Sequence, residues 1–157
     1  MLQNLSSVSE PFFQQLWIKI QCKKLKSFLL CATYRLPSTP VHFLVNLKAT
    51  LMESLLLGLD IIILGDLNCN LLSDCRDGRA LMYFCSNSNV VQLVKAPTRI
   101  TETSETLIDV ALTTNEAIVY DCNVKFSTIS NHSLVSLSLN LKPPKPRPIY
   151  IYLYQEL

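Results

Sequence analysis

Residues 60–64 read Asp-Ile-Ile-Ile-Leu, and this run constrains the fold more than any other part of the chain. It is β-branched and shows no alternation of apolar and polar positions, so it predicts a strand buried on both faces. Something must therefore cover each side of it. Before it, Val41, Leu44, Leu47, Leu51 and Leu55 recur at three- and four-residue spacing. They predict an amphipathic helix, with Ser38 or Thr39 able to cap its start, Pro40 in its first turn and Gly58 as its C-terminal stop. Further upstream, Trp17, Ile18 and Ile20 alternate loosely with Lys19 and Gln21, and residues 28–34 are again mostly apolar after a basic stretch over 23–27. This predicts a β-hairpin whose second strand ends at Tyr34-Arg35-Leu36-Pro37, because proline removes a ladder donor. Strand, helix and buried strand in this order predict an α/β layering, a sheet covered by helices.

Downstream, Asp77 can cap a shorter helix over 79–85, and residues 90–94 predict a short strand. Residues 95–106 are polar and threonine-rich and predict a loop. Residues 107–112 predict a strand with Asp109 inside it, and 118–126 a hairpin partner. A polar loop over 127–133 holds Asn131 and His132, and residues 134–141 alternate Leu or Val with Ser or Asn, the pattern of a half-buried strand. The sequence Lys-Pro-Pro-Lys-Pro-Arg-Pro over 142–148 can continue neither sheet nor helix. The expected organisation is one domain over 1–141 and a proline-rich basic linker and tail over 142–157.

Composition narrows the functional classes. The chain has 157 residues and a net charge of +2, which creates no strong field for polyanions. With 3 glycines and neither a G-x-G-x-x-G nor a Walker loop, a glycine-rich phosphate cradle is excluded. The longest mainly apolar stretch, 55–64, is interrupted by Gly58 and Asp60 and falls far short of the ~20 residues of a membrane span. The opening residues lack the basic and apolar segments of a secretory signal, so a cytosolic or nuclear protein is expected, with no membrane partner. The six cysteines form no C-x-x-C pair and the two histidines are far apart, which argues against zinc and for reduced, small apolar side chains.

Two places could carry chemistry. Gly65-Asp66-Leu67-Asn68 ends the buried strand, where ligands of α/β sheets bind. It is either an Asx-turn that closes the strand or a carboxylate placed at the mouth of a cleft. Asp109 lies among Leu107, Ile108, Val110 and Ala111, where an unpaired carboxylate is costly to bury. His132 is a suitable partner for it, unless Asp109 faces water from an edge strand and His132 is an ordinary surface imidazole.

The ordered blocks TYR (33–35), IIILGDLN (61–68), KAPTRIT (95–101), SETLIDVALT (104–113) and SNHSLVSLSL (130–139) resemble the endonuclease/exonuclease/phosphatase superfamily. More closely, they are similar to the endonuclease domain of non-LTR, LINE-type retrotransposons. The resemblance implies a DNase I-like four-layer sandwich of two mixed β-sheets flanked by helices, and Mg²⁺-dependent hydrolysis of DNA phosphodiester bonds. By the same resemblance Asp66 would orient or deprotonate the attacking water, and Asn68 would contact the phosphate or position Asp66. His132 would contact the scissile phosphate, Asp109 would fix its tautomer, and Tyr34 would donate to the phosphate. Arg35 and Arg99 would bind flanking DNA, and a reverse-transcriptase domain is expected downstream in an intact element.

The sequence departs from the family pattern twice. Where the family has Ser-Asp-His, this chain has Ser130-Asn131-His132, and asparagine loses the charge that attracts a metal. The family's domain also begins with strands carrying an Asn and a metal-binding Glu. Glu10, in a polar segment before Pro11 rather than at the end of an apolar strand, does not match that block. The implied consequence is a domain lacking its N-terminal strands and main Mg²⁺ ligand, with weak or lost activity and exposed apolar faces prone to self-association. A non-catalytic nucleic-acid-binding remnant, or another phosphoesterase of the same superfamily, are the alternatives.

Overall fold

A computed structural model of the chain describes residues 2–143, with side chains from residue 11 onward. The expected linker and tail therefore lie outside the described residues from position 144. The central element is a six-stranded sheet in the order β1-β2-β3-β4-β8-β5. Its strands are β1 (Leu2–Glu10), β2 (Phe13–Ile20), β3 (Phe28–Arg35), β4 (Asp60–Asp66), β5 (Val91–Gln92) and β8 (Asp109–Thr113). β3 and β4 are parallel, joined by a crossover that contains helix α1 (Phe43–Leu55), and the other pairings are antiparallel. A second helix, α2 (Arg76–Ser88), follows β4. A ribbon of β6 (Arg99–Ile100) and β7 (Glu105–Thr106) and a hairpin of β9 (Val119–Lys125) and β10 (Leu134–Leu139) complete the described chain.

The period of two along each strand sorts the side chains into two cores. On one face Phe13, Trp17, Leu29, Cys31, Ile61, Ile63, Val110 and Leu112 meet Phe43, Leu47 and Leu51 of α1 and Leu81 and Phe84 of α2. On the other face Phe28 and Ile62 meet Ile118, Leu137 and Leu139, and Ala111 meets Val124 and Val135. The six-stranded sheet is thus packed between a helical layer and the β9–β10 sheet. Ile61, Ile62 and Ile63 are all buried, as a strand covered on both faces requires.

The structure revises several local expectations. Residues 2–10 are not an irregular polar segment: they form an edge strand, and Glu10 ends it opposite Phe13. An edge strand with one neighbour tolerates the serines and Asn4 that hid it. Helix α1 begins at Phe43 with His42 at its cap position and no side-chain cap. Thr39, expected there, instead donates its hydroxyl to the Leu36 carbonyl and accepts from Arg35. Helix α2 is capped by Cys75, whose thiol accepts from the Gly78 N–H, while Asp77 sits in the first turn and pairs with Arg35. The loop expected over 95–106 contains the β6–β7 ribbon. Gly58 ends the α1 segment with a left-handed φ of 63°, as expected.

Gly65 is needed for a different reason. A Cβ built there would lie 1.7 Å from the Thr33 carbonyl oxygen, inside any possible contact. A side chain at 65 would push β4 off β3 at the position just before Asp66. Gly65→Ala should therefore destabilise the fold by about 2 kcal/mol or more. Gly58→Ala meets open space and carries only the left-handed backbone cost of about 1–2 kcal/mol. Urea unfolding of the two variants measures the contrast.

Candidate active site

Strand register builds the site. Tyr34 on β3 is paired with Asp66 on β4, and Asp66 with Asp109 on β8, so three candidate side chains lie in a row across neighbouring strands. Register partners project to the same face. That face is the one shared with β9–β10, because Ile62 and Leu64 precede Asp66 at steps of two and both pack in that direction. Tyr34 and Asp66 also stand at the carboxyl ends of the parallel pair, where open α/β sheets leave a crevice.

His132 reaches this row from the loop before β10. A single bridge between Arg99 and His132 brings the loop against β6, reinforced by bonds from the Ile100 N–H to the Asn131 carbonyl and from the Ser133 N–H to the Thr98 carbonyl. The imidazole Nδ1 then lies 3.1 and 3.3 Å from the two Asp109 carboxylate oxygens. Asp109 is partly buried, and the histidine satisfies the carboxylate that the apolar context would otherwise penalise. Neither the water-facing edge residue nor the isolated surface imidazole describes this pair.

Asp66 forms the Asx-turn: its Oδ1 accepts from the Asn68 backbone N–H at 2.9 Å, and the half-buried carboxylate stays beside Asp109 and His132. Asn68 is left-handed, with φ of 50°, and its side-chain amide donates to the Arg35 carbonyl at 2.8 Å. Burial raises the Asp66 pKa above the ordinary carboxylate value. The Asn68 N–H opposes that shift, nearby Asp109 adds to it, and His132 lowers it again. Asp66, Asp109 and His132 each offer an atom within 4.8 Å of the others, a group able to hold a cation.

The other sequence-predicted residues separate. Tyr34 is 42% exposed beside Asp66, and Arg99 and Asn131 border His132. Arg35 does not join this row. Adjacent strand residues point to opposite faces, so placing Tyr34 at the site sends Arg35 to the helical face, where it is 0% exposed. A side chain with no accessible surface does not meet a phosphate, and the expectation that Arg35 binds substrate is corrected on that ground.

Two supporting residues escaped the sequence reading. The buried Thr98 hydroxyl accepts from the Ile108 and Asp109 N–H groups, and Asn70 Oδ1 accepts from the Leu107 N–H. Both fix the start of β8 and hence Asp109. The only sequence trace of the first is its place in the Pro-Thr-Arg block.

The raised Asp66 pKa makes a stability prediction. The folded state binds its proton more tightly than the unfolded state, so the carboxylate penalises folding above its folded pKa. This penalty disappears as pH falls through the window down to the unfolded value. Asp66→Asn should therefore raise Tm at pH 7, and the gain should shrink on acidification toward pH 4. Thermal melts of both proteins at the two pH values check this.

Comparison with protein-family models finds no match, and no curated protein sequence matches the chain. Solved structures do. The endonuclease domain of TRAS1, a telomere-specific non-LTR retrotransposon, superposes with a TM-score of 0.67 at 18% identity, covering 88% of this chain and 67% of that one. The Xenopus laevis APE2 catalytic domain gives 0.61 at 17% identity, covering 85% and 57%. The human Nocturnin catalytic domain gives 0.58 at 16%, covering 90% and 60%. The chain thus spans roughly three-fifths to two-thirds of the lengths of these domains. Among the described residues no helix is long and apolar enough to cross a membrane. The layered sheets, their helical cover and these superpositions together give the chain the DNase I-like fold of endonuclease/exonuclease/phosphatase proteins.

Proposed function

We propose that the chain carries a cation-assisted phosphodiester hydrolase site acting on DNA, of the retroelement endonuclease kind, with weak turnover. The observation that carries this reading is the row of Tyr34, Asp66 and Asp109 on adjacent strands, with His132 bound to Asp109. The likeness to the TRAS1 endonuclease domain supports DNA as the substrate class.

Each group suits a part of phosphodiester hydrolysis. Asp66, held by the Asn68 N–H and kept basic by burial, accepts the proton of an attacking water. Asp109 binds His132 Nδ1 and orients the ring, which leaves Nε2 facing a phosphate oxygen. The exposed Tyr34 hydroxyl is a second donor to the phosphate, and Arg99 is a contact for the flanking backbone. Of the Asp66, Asp109 and His132 group, the two carboxylates would hold Mg²⁺, which when bound would neutralise phosphate charge and stabilise the leaving oxyanion. The set is thin for that ion. It offers two carboxylates, one already committed to His132, and Asn131 adds no charge where the family pattern has aspartate. Weak metal affinity is the reason for weak turnover.

Plasmid nicking tests the reading. Slow nicking is expected with Mg²⁺ or Mn²⁺, falling about 10²-fold or more in Asp66→Ala and His132→Ala. Asn131→Asp should raise it. Nicking indifferent to all three substitutions, or hydrolysis of small phosphate esters without DNA cleavage, overturns the assignment.

A further inference from the structure

Arg35 is the one fully buried cation among the described residues, and it lies directly behind the turn that carries Asp66. Its NH1 group donates to the Leu67 carbonyl at 3.0 Å and approaches the Asn68 carbonyl at 3.4 Å and the Cys69 sulfur at 3.2 Å. Its NH2 group donates to the Thr39 carbonyl and pairs with Asp77 at 2.6 Å, and Nε donates to the Thr39 hydroxyl. The Phe43 ring stacks 4.9 Å from the guanidinium carbon. Asn68 completes a reciprocal link by donating its side-chain amide to the Arg35 carbonyl.

These contacts converge on one turn. The Leu67 carbonyl and the Asn68 N–H belong to the same peptide plane, so the donor that holds the carbonyl also fixes the direction in which the N–H meets Asp66 Oδ1, and Asn68 continues the turn with a left-handed φ of 50°. The carbonyls on either side of that N–H turn inward, where they need donors. Arg35 supplies them from a planar fork that is itself anchored to α2 through Asp77 and to the loop before α1 through Thr39. We propose that Arg35 is a positioning residue for the candidate site: it sets the Asn68 turn, and through the Asn68 N–H the place of the Asp66 carboxylate. The proposal rests on the functional reading above only in treating Asp66 as the group that matters.

Native-state amide exchange tests it on the full chain without metal or nucleic acid, so that failure of the hydrolase reading leaves this result readable. Lysine keeps the charge but cannot span two carbonyls and Asp77 with a single ammonium. In Arg35→Lys the Asn68 amide should exchange about tenfold faster or more, while the amides of Ile61, Ile62 and Ile63 keep their protection. Asp77→Asn and Thr39→Val loosen the guanidinium from the far side and should shift the Asn68 amide in the same direction, which covers the case in which Arg35→Lys does not fold. An unchanged Asn68 amide in these folded variants, or equal acceleration of all amides, overturns the proposal and leaves Arg35 a contributor to global stability alone. Where the wild-type chain nicks DNA, Arg35→Lys should lower kcat with little change in KM.

Discussion

The parallel pairing of β3 with β4, running from Phe28 opposite Asp60 to Tyr34 opposite Asp66, fixes the position of nearly everything else. It requires the α1 crossover, which covers one face of the sheet, and it brings two strand ends to the same level. The approach is close enough at Gly65 that no side chain fits between the strands. Period-two alternation then divides the residues at those ends. Tyr34 and Asp66 go to the face shared with β9–β10, and Arg35 and Leu67 go to the helical side. β8 extends the row by one strand, so Asp109 arrives beside Asp66 through backbone hydrogen bonding rather than through any attraction between the two carboxylates.

Two acids on neighbouring strands are an electrostatic cost, and the structure offsets it from the periphery. His132 meets Asp109, the Asn68 N–H meets Asp66, and the charge on Arg35 is matched by Asp77 on the other side of the sheet. Burial nevertheless leaves Asp66 with a raised pKa. A carboxylate at a strand end whose basicity is raised by its surroundings suits the proton-accepting role proposed for Asp66. The same burial links the pH dependence of stability to the chemistry proposed for the site.

Much of this was legible in the chain itself. The unalternating Ile61-Ile62-Ile63 run required cover on both faces and received it from α1 and α2 on one side and β9–β10 on the other. The 3,4-spaced leucines placed α1, and the Leu-Ser alternation placed β10. Local polarity misled at residues 2–10, because an edge strand is held by backbone bonds to a single neighbour and carries no obligatory apolar pattern. Capping residues misled as well. Thr39 and Asp77 have the chemistry of helix caps, but a buried guanidinium needed acceptors more than the helix ends did, and it took both.

The sequence by itself determined which side chains could do chemistry and which strands would carry them, because strand ends, turns and apolar runs are written in local composition. It even held the separation of Tyr34 from Arg35, since adjacent residues on a strand face opposite ways. Tertiary structure decided which of those side chains meet. His132 reaches Asp109 through its loop's backbone bonds to the segment around Arg99, and the turn at Asn68 is backed by an arginine 33 residues earlier in the chain and by the Ile108 carbonyl. Such contacts depend on strand order and register, which are set by the packing of the whole sheet and leave no mark in local spacing.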